Sequence, residues 1–161
     1  MEMPRSALPV HRLPTAEDTD SFGRRLGSVL RAGDLLILEG SLGAGKTALT
    51  KGIAAGMRVQ GLVTSPTFVI ARTHRATPPS PALVHVDAYR LGDRWELDDL
   101  DLETDLARAA VVIEWGGGLA EQLADAHLLV SLVRLPDDTR EITLTARGGD
   151  WAQRLAALSS S

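Results

Sequence analysis

The chain has 161 residues, of which 44% are hydrophobic and 24% charged, and its formal net charge is −4. That length holds one domain with a core of its own, which sets aside disordered and disulfide-stapled architectures. The absence of cysteine excludes thiolate metal sites, iron–sulfur clusters and cysteine catalysis, and the acidic balance argues against a free-standing nucleic-acid binder, which needs a basic face.

The predicted elements follow in chain order. Residues 1–8 read as a loose start, and Pro9–Leu13 as a short edge strand ended by Pro14. Thr15, with Asp18 three residues on, predicts the N-cap of a helix over 16–31 that Gly33 ends. Leu35–Leu38 is a continuous apolar run, the pattern of a strand buried on both faces. A glycine-rich turn over 40–47 leads into a helix over 46–56. Thr67–Thr73 reads as a strand, Ala76–Pro81 as a proline-rich loop and Leu83–Asp87 as another strand. Trp95–Ala107 is acidic, with leucines near helical spacing, and predicts one or two short helices. Ala110–Glu114 is a further buried strand, followed by three glycines and a helix over 119–125. His127–Leu135 and Glu141–Ala146 predict a hairpin joined by Pro136–Thr139, before a last helix over 150–158 and a frayed tail. Strands alternating with helices, closed by a hairpin, indicate a single α/β domain with a mixed, mostly parallel sheet flanked by helices. No apolar run is long enough to span a bilayer and the N-terminus lacks an apolar signal core, so a cytoplasmic protein is expected.

Gly40-Ser41-Leu42-Gly43-Ala44-Gly45-Lys46-Thr47 fits the pattern G-x-x-x-x-G-K-[ST]. The glycines let the backbone curl so that successive N–H groups point at phosphate oxygens, and the following helix adds its unpaired donors. Lys46 supplies a compact ammonium for the β- and γ-phosphates, and Thr47 a hydroxyl for Mg²⁺. Only two of the 17 basic residues are lysines, and one of them stands at the position that needs it. The context, a buried strand before and a helix after, is that of a P-loop NTPase fold.

Mg²⁺ also needs a carboxylate, and attacking water an orienting group. Asp87 and Glu114 fit, each at the end of an apolar strand. Ser65-Pro66-Thr67 lies where a switch segment can return to the γ-phosphate, with the Thr67 hydroxyl as the sensing group. His11, His74, His85 and His127 lack metal-ligand spacing, and no metal is assigned to them.

The cradle GSLGAGKT, SPTF (65–68), HVDAYRL (85–91), WELDDLDLE (95–103) and VVIEW (111–115) together resemble the TsaE family in order and spacing over residues 9–146. The resemblance implies a small P-loop ATPase that binds ATP or ADP with Mg²⁺ and hydrolyses ATP slowly on its own. It implies two partner proteins, TsaB and TsaD, which attach threonylcarbamoyl to a tRNA adenosine beside the anticodon, so that tRNA is met only through the complex. It also implies that Gly43, Ala44, Gly45, Lys46, Thr47 and Ala48 hold the phosphates. By the same resemblance Thr15 and Ala16 lie near the adenine, Thr47, Glu114 and Asp87 serve the metal, and Asp87, Glu114, Lys46 and Thr67 serve catalysis. This chain departs from the family pattern at Ser41, where an acid is usual, at Asp101, where glycine is frequent, and at Gly116, where proline often follows the tryptophan.

Three other readings share the cradle. A small nucleotide or metabolite kinase would carry an arginine-rich lid, and the insertion at 76–81 has no arginine. A nucleotide-sensing subunit would need occupancy without hydrolysis. A GTPase would need the asparagine of the guanine reader, and the chain has none.

Overall fold

A computed structural model describes residues 5–7, 10–40, 45–59, 71–78, 80–87, 105–114 and 126–156. Along these run β1 (Arg5–Ala7), β2 (His11–Leu13), α1 (Ala16–Ser28), β3 (Leu35–Gly40), α2 (Lys46–Gly56), β4 (Ala71–His74), β5 (Ala82–Asp87), β6 (Ala109–Glu114), β7 (His127–Arg134), β8 (Arg140–Arg147) and α3 (Trp151–Ala156). The strands form one sheet in the order β1-β8-β7-β3-β6-β5-β4, with β2 also on β8. The four central strands β7, β3, β6 and β5 are parallel. Antiparallel strands flank them: β8 on β7, β1 and β2 on β8, and β4 on β5. The mixed α/β sheet and the C-terminal hairpin are as the sequence implies.

The runs Leu35–Leu38 of β3 and Ala109–Ile113 of β6 are apolar at every position because both their faces are covered. Leu36, Leu38 and Val112 point into a core completed by Phe22 and Leu26 of α1 and Leu49 and Ile53 of α2. The alternate residues Leu35, Ile37, Val111 and Ile113 join Val84 and Val86 in a second core on the opposite face. Each such side chain stabilises the fold by about 1.5–3 kcal/mol when fully buried.

Several boundaries differ from expectation: β2 begins at His11, β5 at Ala82, β6 at Ala109, and β8 gains a residue at each end. The first helix ends at Ser28, and the chain leaves it through a turn in which the Leu30 amide donates to the Gly27 carbonyl. Residues 5–7 are a strand rather than a loose start, paired with residues 145–147 of β8. They carry no apolar alternation, and the pairing follows from backbone groups that the edge of β8 would otherwise leave unmatched. The strand expected from Thr67 is described from Ala71 and reaches His74. The expectations for 95–104 and 119–125 lie outside the described residues.

Helices α1 and α2 run parallel and touch backbone to backbone. Gly52 lies against Asp20 and Gly23, and Gly56 lies against Arg24. A Cβ on Gly27 would stand 2.1 Å from the Ile53 carbonyl oxygen, and one on Gly56 would stand 2.0 Å from that of Arg24. Both helices therefore carry glycines four residues apart, one turn along the contact stripe. At the far end of α1, Arg154 of α3 donates to both carboxylate oxygens of Asp34, at 2.6 and 2.9 Å, and to the Val29 carbonyl at 2.9 Å. Its guanidinium also lies 4.0 Å from the Trp151 ring.

Gly27→Ala is expected to lower stability by about 1–3 kcal/mol through overpacking, although alanine is the better helix former. Urea denaturation checks this, and a variant at least as stable as the wild type would contradict the close crossing.

Candidate functional site

Because α1 and α2 are parallel, both N-termini open at the same end of the molecule. The two are finished differently. Thr15 caps α1: its hydroxyl accepts from the Asp18 amide at 3.1 Å, while the Asp18 carboxylate accepts from the Thr15 amide at 3.1 Å. Glu17 and Asp18 add negative charge in that first turn. α2 has none of this. Its N-cap is Gly45, no side chain caps it, and its first turn holds no acid. Gly45 sits at φ 105°, in the left-handed region where glycine is favoured. The positive end of the α2 dipole at this N-terminus therefore has no acidic side chain of its own helix against it, and favours negative charge.

A groove of about 240 Å³ joins the two N-termini. Pro14, Thr15, Ala16 and Thr19 form one wall and Gly45 and Ala48 another. The third wall is the β7–β8 hairpin, through Arg134, Asp138 and Arg140. Arg140 Nε is 3.3 Å from where a Gly45 Cβ would be, and its Nη1 donates to the Asp138 carbonyl at 2.9 Å. Arg134 donates to the Asp138 carboxylate at 2.9 and 2.6 Å. Asp138, in the turn between the two strands, takes φ 69°. Sequence reading missed Arg134 and Arg140. The hairpin was legible, but nothing in it told which loop it would face.

Lys46 is only 6% exposed, and its Nζ donates to the Gly40 carbonyl at 2.8 Å, spanning the loop from the end of β3 to the start of α2. Thr47 is half-buried and Ala48 exposed. Gly43, Ala44 and Thr67 lie outside the described residues.

The two predicted acids come together. Asp87 pairs in register with Glu114, and Glu114 pairs with Leu38, two residues before Gly40. All three stand at the C-terminal ends of parallel strands, the end where open α/β sheets place ligands. By alternation Glu114 shares its face with Val112, on the side of α1 and α2. Glu114 is 4% exposed, and its Oε2 lies 2.6 Å from Nε2 of His85, which is fully buried on β5. A buried carboxylate needs such a partner. Sequence reading gave the histidines no role, yet His85 and Asp87 stand two apart on one strand, the spacing that puts them on one face.

His74 lies on the neighbouring strand β4, also buried. Burial, then the proximity of His85 and of Arg72, lowers its pKa below the ordinary 6.5.

Three comparisons agree. A family model described as "Threonylcarbamoyl adenosine biosynthesis protein TsaE" matches residues 13–142. Mycobacterium tuberculosis "tRNA threonylcarbamoyladenosine biosynthesis protein TsaE" is 57% identical over 139 residues, covering 81% of this chain and 83% of that protein. The Bacillus subtilis protein of the same name is 37% identical over 150 residues, covering 92% of each chain. The crystal structure of Bacillus subtilis YdiB superposes with a TM-score of 0.75 at 33% identity, covering 97% of this chain and 96% of that one.

The His74 environment sets a pH dependence. Below pH 6.5 the unfolded imidazole takes up a proton that the folded one resists, so stability is full above that value and falls as the pH drops. His74→Gln is expected to flatten this decline in urea titrations between neutral and mildly acidic pH. A residual slope belongs to His11, whose pKa is lowered by burial and by Arg25. An unchanged slope in the variant would contradict the burial of a neutral His74.

Proposed function

As the chain belongs to the TsaE family of tRNA threonylcarbamoyladenosine biosynthesis, we propose that it binds ATP with Mg²⁺ and hydrolyses it slowly. We propose further that this cycle serves the TsaB–TsaD pair, which carries out the tRNA modification in the cytoplasm. The observation that carries the reading is the start of α2, capped by no side chain, with Lys46 buried beside it and Asp87 in register with Glu114 at the neighbouring strand ends.

In this reading the amides of Gly43, Ala44, Gly45, Lys46 and Thr47 receive the phosphate oxygens. The Lys46 ammonium neutralises charge on the outer phosphates, and burial strengthens that interaction. The donor set suits a hard cation: a hydroxyl from Thr47 and carboxylates from Glu114 and Asp87. Mg²⁺ bound there supplies neutralisation of the charge that builds on the phosphate oxygens during transfer. Asp87 orients the attacking water, and Thr67 senses the γ-phosphate. Thr15, Ala16 and Ala48 receive the adenine end in the groove, with the Arg140 guanidinium at its rim. The partner proteins raise the slow basal rate by completing the site. tRNA is met through TsaB and TsaD, in keeping with the net charge of −4.

Lys46→Ala is expected to weaken fluorescent ATP binding at least about 10-fold, the scale of one charge-assisted contact. Undiminished affinity would contradict the cradle. Glu114→Gln is expected to keep nucleotide binding in the absence of metal and to lose most hydrolysis. Basal turnover is expected to rise when TsaB, TsaD and tRNA are added, and equal rates with and without them would remove the partner-coupled cycle.

A further inference from the structure

His85 and Glu114 form a buried pair that the proposed reaction has not yet used. Both side chains are buried, 0% and 6% exposed, and their atoms meet at 2.6 Å across adjacent parallel strands. The other ring nitrogen, His85 Nδ1, is buried and has no hydrogen-bond partner among the described residues. An unmatched N–H in the interior is rarer than an unmatched acceptor. That favours the tautomer in which Nε2 carries the proton and donates to Glu114, leaving Nδ1 as a bare lone pair.

We propose that His85 is a positioning residue for the reaction: its Nε2–H holds the Glu114 carboxylate in one rotamer, with Oε2 engaged, so that the carboxylate meets the metal pre-aligned. Histidines and carboxylates outside a metal's own ligands commonly tune it this way, and losing one lowers metal affinity or activity about 10- to 100-fold. The strand register supports the assignment. His85 lies two residues before Asp87, and Asp87 is paired with Glu114, so one strand carries both an acid of the site and the group that orients the other acid. The inference rests on the reading of Glu114 as a metal-linked acid.

The test measures the Mg²⁺ dependence of ATP binding and of hydrolysis in His85→Leu, His85→Gln and Glu114→Gln. His85→Leu removes the donor and keeps most of the volume, whereas His85→Gln can present an N–H near the same place. The expected result is a 10- to 100-fold higher Mg²⁺ requirement in His85→Leu, little change in metal-free nucleotide affinity, and substantial recovery in His85→Gln. Adding His85→Leu to Glu114→Gln is expected to cause no further loss. A folded His85→Leu with the wild-type Mg²⁺ requirement, beside an impaired Glu114→Gln, would overturn this inference alone. If Glu114→Gln also matched the wild type, the metal reading would fail and the inference with it. Nitrogen-15 spectra of the wild-type imidazole give a readout that no variant's folding can disturb. A protonated Nε2 is expected for His85, and a bare Nε2 with a protonated Nδ1 would overturn the proposal.

Discussion

Glycines on α1 and α2 bring two parallel helix backbones into direct contact, with no room for a Cβ between them at Gly27 or Gly56. Their N-termini are held side by side as a result, and two positive dipole ends face the same space, an arrangement that repels itself. At α1 the repulsion is answered internally, by the Thr15–Asp18 box and by Glu17. At α2 it is not, because Gly45 offers no side chain and the residue that follows is a lysine. The positive potential left there suits a bound anion, and the groove extends from that point toward α1 and the β7–β8 hairpin.

The sheet supplies what the helices cannot. Parallel strands β3, β6 and β5 end on the same side, so residues far apart in sequence arrive in one row: Leu38, Glu114 and Asp87. Placing a carboxylate there, almost out of contact with water, carries a desolvation cost that only specific partners offset. His85 is one such partner, with its own ring fully buried for the purpose. A buried ionisable pair of this kind is a usual compromise at functional sites, and the proposed role of Glu114 would account for it.

Much of this was legible from the residues. The four apolar residues Leu35–Leu38 reported a strand covered on both faces, and the run from Lys46 reported the helix that follows. Thr15 and Asp18 reported the start of α1 within one residue. Asp87 and Glu114 could be named as strand-end acids, but their register could not, since sheet order is decided by which crossovers pack rather than by any local pattern. The same reason hid the His85–Glu114 contact, which joins residues 29 apart in sequence. Arg140 was hidden because a hairpin's local signals fix its turn and not the loop it faces. Strand β1 was missed because pairing with an open edge asks for backbone groups and no side-chain alternation.

The most direct measurement is a crystal structure of the chain with Mg²⁺ and a non-hydrolysable ATP analogue. The expected density has the phosphates on the first amides of α2, the metal between Thr47 and Glu114, and the base in the groove between Thr15 and Arg140. Phosphates bound away from Gly45 and Lys46, or a metal held without either strand-end acid, would contradict the arrangement on which the proposed ATPase depends.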